Sequence, residues 1–186
     1  MASNDKRLAY YTLIGEFIHL CAKIELCITT CALLKENHER DIGDTSLIIR
    51  IEKKLTDKFY KKIELLDNVI KNNGNQSTKP SELDDLWSIL RAEVMTIIND
   101  RQFLVHGTGL YFFFAEPIKA CIVEYGKKEL TTKEYTLDEI QNLNKRAYTL
   151  LYGVNGLEQK FLHLYGYWIT GKPVWLTAYR IVDTTN

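Results

Sequence analysis

Two side chains near the middle of the chain stand where chemistry is possible. Leu83, Leu90, Ile97 and Leu104 recur every seven residues, and a second row of that spacing runs Trp87, Val94 and then Arg101. A guanidinium thus occupies a line of otherwise apolar positions. A buried charge is costly unless it is paired. Arg101 therefore has a carboxylate partner, faces a cleft or an interface, or binds an anion. His106 follows five residues later, directly before Gly107. An imidazole that titrates near neutrality can take the proton from a ribose 2′-hydroxyl or return one to a leaving oxygen. An arginine can hold a phosphate through two parallel hydrogen bonds and stabilise the charge that develops on it. The pair suits cleavage of RNA without a metal, by attack of the 2′-hydroxyl to leave a 2′,3′-cyclic phosphate.

On an ideal helix five residues turn a side chain by about 140° and advance it by about 7.5 Å. The two groups do not meet neatly within one chain. Two copies about a two-fold axis would gather both pairs in a small space, so a homodimer is the expected assembly. Three residues are candidates to support the pair. Asp100 can position Arg101, Gln102 can contact a phosphate or base, and Glu25 interrupts the apolar face of the first helix and can reach Arg101 from there. The structural alternative for Arg101 is an ion pair with Glu16, Glu25 or Asp100. For His106 it is a helix C-terminal cap favoured by the helix dipole.

The elements that must position these residues are mostly helical. Tyr10, Leu13, Phe17, Leu20, Ile24, Cys27, Cys31 and Leu34 alternate steps of three and four, and Ile14, Cys21 and Ile28 widen the stripe. That pattern predicts a helix over about residues 6 to 37 with a broad buried face. After a break at 41–45, Ile48, Ile51, Leu55, Phe59, Ile63, Leu66 and Ile70 predict a second helical region over about 46 to 72. A polar loop at 71–80 precedes the third helix, which starts near Ser81 and ends at Gly107. The period then changes, and 110–114, 118–125 and 129–135 read as short strands. Thr136 to Glu139 form a capping box. It opens a fourth helix with the seam Ile140, Leu143, Ala147, Leu150, Val154, Leu157, Phe161 and Leu164. The aromatic tail over 167–183 suggests a strand or hairpin. The expected fold is mainly α. It is an up-and-down bundle of four long helices in one domain, residues 1–186, with a small antiparallel sheet inserted between the last two helices.

Composition narrows the partners. The 186 residues carry 24 Lys plus Arg and 24 Asp plus Glu. A neutral chain is not built to coat nucleic acid, although an enzyme needs only a local positive groove. The best candidate for an RNA-backbone contact is the cluster Lys53, Lys54, Lys58, Lys61 and Lys62. Tyr111 to Phe114, Trp168 and Trp175 can stack bases but more simply pack a sheet or an interface. The four cysteines lie in apolar runs and read as buried thiols of a reducing compartment. No cofactor or metal is expected. No apolar run is expected to span a membrane, and the N-terminus does not read as a signal peptide. The expected location is cytoplasmic.

The segment Asn99-Asp100-Arg101-Gln102-Phe103-Leu104-Val105-His106-Gly107 resembles the Arg-x4-His signature of the HEPN superfamily. The helical layout of the whole chain is loosely similar to that family as well. Gln102 stands where the family usually has a small polar residue, and Thr108 where a toxin subgroup has tyrosine. The resemblance implies a helical, commonly dimeric, metal-independent endoribonuclease of a toxin–antitoxin, phage-defence or RNA-processing system. Arg101 and His106 would be its catalytic pair and RNA its substrate. A non-catalytic dimeric HEPN-like binding or regulatory module is the alternative. A third reading is a subunit whose aromatic strands pair with a protein partner or antitoxin.

Overall fold

The structure is a computed structural model that describes residues 2–37, 53–54, 58–72, 79–106, 118–123, 130–171, 174–177 and 180–183. It is mainly helical. The elements are α1 (Ala2–Asn37), α2 (Phe59–Asn72), α3 (Glu82–His106), β1 (Ile118–Val123), β2 (Leu130–Tyr135), α4 (Leu137–Tyr152), a π-helical turn (Leu157–Phe161), α5 (Leu162–Thr170), β3 (Val174–Thr177) and β4 (Arg180–Asp183). The break at 41–45, the seam positions Ile48, Ile51 and Leu55, the strand at 110–114, and Gly107 lie outside the described residues. Contacts gather the chain into two compact units. The first comprises Met1–Cys21 and Val94–Tyr148, and the second Ala22–Glu93 and Thr149–Asn186.

In the first unit the α1 stripe buries Tyr10, Ile14, Phe17, Leu20 and Cys21. The second half of α3 buries Val94, Ile97, Ile98 and Leu104, and α4 buries Ile140, Leu143 and Ala147. The capping box at the start of α4 is formed on both sides. The Glu139 N–H donates to Thr136 Oγ1 at 3.2 Å, and the Thr136 N–H donates to Glu139 Oε2 at 2.7 Å. This pairing satisfies donors that a helix start leaves without intrahelical acceptors. Asn144 of α4 donates its Nδ2 to the Leu13 carbonyl at 3.0 Å and to Glu16 Oε2 at 3.2 Å. β1 and β2 pair antiparallel, with Ile118 opposite Tyr135 and Val123 opposite Leu130.

In the second unit α1 continues its stripe through Ile24, Cys27, Ile28, Cys31 and Leu34. α2 buries Phe59, Ile63, Leu66, Val69 and Ile70, and the first half of α3 buries Leu83, Leu86, Trp87 and Leu90. Phe161 stacks between Trp87 at 5.1 Å and Tyr165 at 5.7 Å, centroid to centroid. The described cysteines Cys21, Cys27 and Cys31 are buried free thiols, and burial beside Cys27 raises the Cys31 thiol well above its ordinary range. β3 and β4 pair antiparallel after Gly171, which ends α5 in the left-handed conformation at φ 69°.

Two expectations are corrected. The last long helix does not run on through Val154 and Leu164. α4 stops at Tyr152, Val154 is 87% exposed, and the chain restarts as the π-helical turn. The cause is Gly153-Val154-Asn155-Gly156. The Gly156 N–H turns back to the Gly153 carbonyl at 2.7 Å, and a Cβ on Gly156 would lie 2.8 Å from both the Gly153 and the Leu150 carbonyl oxygens. The restart shifts the phase, so Leu162 and Tyr165 are buried and Leu164 is only partly so. The second correction concerns hydropathy. The stretch Leu8–Leu34 of α1 is long and apolar enough to cross a membrane, contrary to the expectation that no such run exists. Within it, 72% of an apolar 18-residue segment is buried inside the protein, as in a core helix.

Gly156→Ala should therefore destabilise the fold by about 1–3 kcal/mol, the usual range for forcing atoms into a filled space. Urea denaturation followed by circular dichroism measures this, and a variant as stable as the parent would show that the loop can open.

Candidate functional site

The sequence-predicted residues fall on α3 and α1. Arg101 lies in the last turns of α3, half-buried, with its Nε buried. The row that leads to it is buried at Trp87 and Val94. His106 is the last residue of α3, and its side chain is outside the described residues. Gln102 is exposed. All three belong to the first unit, whereas Glu25 belongs to the second.

Asp100 is buried, and its side chain is held by two residues of β2. It is 3% exposed. Its Oδ1 accepts from Lys133 Nζ and, at 2.9 Å, from the Tyr135 hydroxyl. Lys133 and Tyr135 are two apart on β2, so the strand presents both on one face. Lys133 Nζ also lies 5.2 Å from the Tyr135 ring centroid and 5.9 Å from that of Phe103. These contacts tie β2 to the last turns of α3, where Arg101 and His106 sit. Burial, with the Asp100 carboxylate beside it, holds the Tyr135 hydroxyl neutral far above the ordinary phenol range.

The other two carboxylates weighed as partners of Arg101 hold other partners too. Glu16 accepts from Asn144, and Glu25 pairs with Lys62 of α2. Lys62, one of the five lysines of the candidate RNA-backbone cluster, has a side chain that is 2% exposed. Lys53, Lys54, Lys58 and Lys61 are exposed, as a solvated face requires.

Two groupings had no part in the sequence reading. Asp67 of α2 accepts from Trp87 Nε1 at 2.7 Å and from Arg91 Nε at 2.8 Å. Trp87 and Arg91 are one helical turn apart, so one carboxylate can bridge them. Beside the glycine break, Lys23 Nζ donates to the Tyr152 hydroxyl at 2.7 Å. Burial raises the Glu158 carboxyl above its ordinary range, against the opposing pull of Lys23. Among the described residues no three His, Cys, Asp or Glu side chains gather as a metal site would. Comparison with protein-family models, curated proteins and solved structures finds no match to the chain.

Two outcomes follow. Asp100→Ala removes an ion pair to a lysine that is 43% exposed and a buried hydroxyl contact. The first is discounted for solvent screening and the second counts fully, giving a loss of about 2–3 kcal/mol by chemical denaturation. Lys133→Met should cost less than Asp100→Ala, and the reverse order would place the stabilisation in the ion pair. Glu158 has a folded value above its unfolded one, so the folded protein keeps this proton longer. Its contribution is present below the ordinary glutamate value near 4.5 and is lost as pH rises through the raised folded value. Glu158→Gln should flatten that part of the stability–pH curve, and an unchanged slope would locate the titration elsewhere.

Proposed function

We propose that the chain is a metal-independent endoribonuclease of HEPN type, acting as a homodimer through a composite site built from Arg101 and His106 of both copies. The observation that carries this reading is the half-buried Arg101 on an otherwise apolar row, in the same final turns of α3 as His106. The first would hold the scissile phosphate and the second would move the proton. The buried Asp100, fastened by Lys133 and Tyr135, would keep the end of α3 rigid while Gln102, exposed beside the pair, contacts the strand. On this reading the four long helices make an up-and-down bundle, the β1–β2 hairpin is its appended sheet, and the protein works in the cytoplasm.

A second reading, a non-catalytic dimeric module of the same fold, is favoured by one observation. Asp100 and Glu25, two of the three supporting residues, are spent on structural pairs.

The test is cleavage of single-stranded RNA in EDTA. The parent should generate 2′,3′-cyclic phosphate ends, and Arg101→Ala and His106→Ala should each lose activity by about two to four orders of magnitude. Full activity in either variant removes that residue from the mechanism. Parent protein without activity, but dimeric by light scattering, supports the module. A strict monomer counts against both.

A further inference from the structure

In the first unit the seam of α1 faces inward through Tyr10, Ile14, Phe17 and Leu20. A second apolar row runs along the same stretch of helix at steps of three, four and three: Leu8, Tyr11, Gly15 and Ile18. Its members stay accessible, Leu8 at 66%, Tyr11 at 45% and Ile18 in part. Gly15 is exposed in the middle of the row, far from either end of α1. Glycine is among the least favourable residues for a helix interior, and its use there is to let another segment approach the backbone. Among the described residues nothing does so. A Cβ on Gly15 would meet no atom within 4 Å. A group that uses this hollow has to come from another molecule.

We infer that this row docks a second copy of the chain, laid antiparallel across the same row of its partner and centred at the level of Leu13. A two-fold axis there maps the row onto itself. Residues 11 and 15 lie at equal heights on either side of the centre, as do residues 8 and 18. Tyr11 of each copy therefore stands over the hollow at Gly15 of the other, and Leu8 stands beside Ile18. The exposed part of the Tyr11 ring, rather than its hydroxyl, is what this contact covers. The flank agrees in charge. Asp5 and His19, both exposed, lie on one side of the row, and the antiparallel arrangement brings Asp5 of each copy within about 3 Å of the height of His19 of the other. A parallel pairing would set Tyr11 against Tyr11 and leave Gly15 facing Gly15 across a gap. An unrelated protein or a lipid surface has no need of a row that maps onto itself. The whole row belongs to the first unit. Association through α1 rests on the proposed homodimer only for the number of copies, and RNA cleavage has no part in it.

The experiment measures the self-association constant of the full chain by sedimentation velocity over a concentration series. Leu8→Glu and Tyr11→Glu, both at exposed positions, should each weaken association about tenfold or more. Gly15→Leu fills the hollow and should weaken it as much. Below the parent's dissociation constant that variant should melt no lower than the parent, because the single chain has open space at Gly15 and a helix gains from losing glycine. Val154→Glu, at an apolar position 87% exposed but outside the row, should leave association unchanged. Mixed Leu8→Cys and Ile18→Cys proteins should form a disulfide-linked dimer in a mild oxidant, above the parent's background. Leu8→Cys alone should not, since its two copies lie about 15 Å apart along the helix axis. A dimer that survives the Leu8, Tyr11 and Gly15 substitutions overturns the inference and leaves the proposed homodimer to another face. Equal weakening by Val154→Glu, or equal cross-linking by Leu8→Cys alone, overturns it too. A chain that stays monomeric throughout the series overturns it together with the homodimer, and binding of that monomer to phosphatidylcholine vesicles through Leu8 and Tyr11 would assign the row to a lipid surface instead.

Discussion

A carboxylate removed from water costs several kcal/mol unless cations and hydrogen-bond donors replace its hydration, and three carboxylates among the described residues meet that requirement. Asp100 is met by Lys133 and Tyr135, Asp67 by Trp87 and Arg91, and Glu25 by Lys62. Each group joins elements that apolar packing alone would leave free to slide. Leu and Ile side chains at steps of three and four fit several registers along a neighbouring helix. A carboxylate matched to an indole N–H and a guanidinium one turn apart fits only one. In the second unit, Asp67 fixes α2 against the first half of α3, and Glu25 fixes α1 against α2. In the first, Asp100 fixes β2 against the second half of α3. The helix that carries Arg101 and His106 is therefore pinned within each unit by a different acid.

The glycine break gives a similar lesson about backbone. The seam of α4 continues on paper through Val154, because Val154, Leu157 and Phe161 keep the step. The chain instead turns at Gly153 and Gly156, where carbonyl oxygens approach too closely for any Cβ. The π-helical turn that follows brings Leu157 and Phe161 into the core by a different path, and Phe161 then meets Trp87 and Tyr165. Period alone cannot separate an uninterrupted helix from two helices joined by a reset. The two glycines three apart carried that signal.

The apolar pattern made much of the fold legible. Every seam residue of α1 is buried or, at Leu13, partly buried, and the capping box before α4 forms both of its reciprocal bonds. Partners across long sequence separations were not legible. Asp100 and Lys133 are on different elements, and nothing in either local sequence names the other. Lys62 was within reach. It falls between Phe59 and Leu66 at helical spacing, the same test of a charge on an apolar row that singled out Arg101. Applied evenly, it would have separated Lys62 from the four exposed lysines around it and shown that its counter-ion must come from a neighbouring helix.

The two cations on apolar rows nevertheless differ in what they leave available. A lysine ammonium has three donors on one nitrogen, and a buried ion pair such as that of Lys62 with Glu25 commits most of its field to one acceptor. An arginine has five donors spread over a plane, so one face of the fork can be held by the fold while the other meets a second anion. Partial burial of Arg101 is consistent with that division. The residue is half-buried, and its Nε is shielded from water. Substitution by lysine at 101 would keep the charge and lose the fork, which is why the planar geometry, more than the positive charge, is what a phosphate-handling role at this position requires.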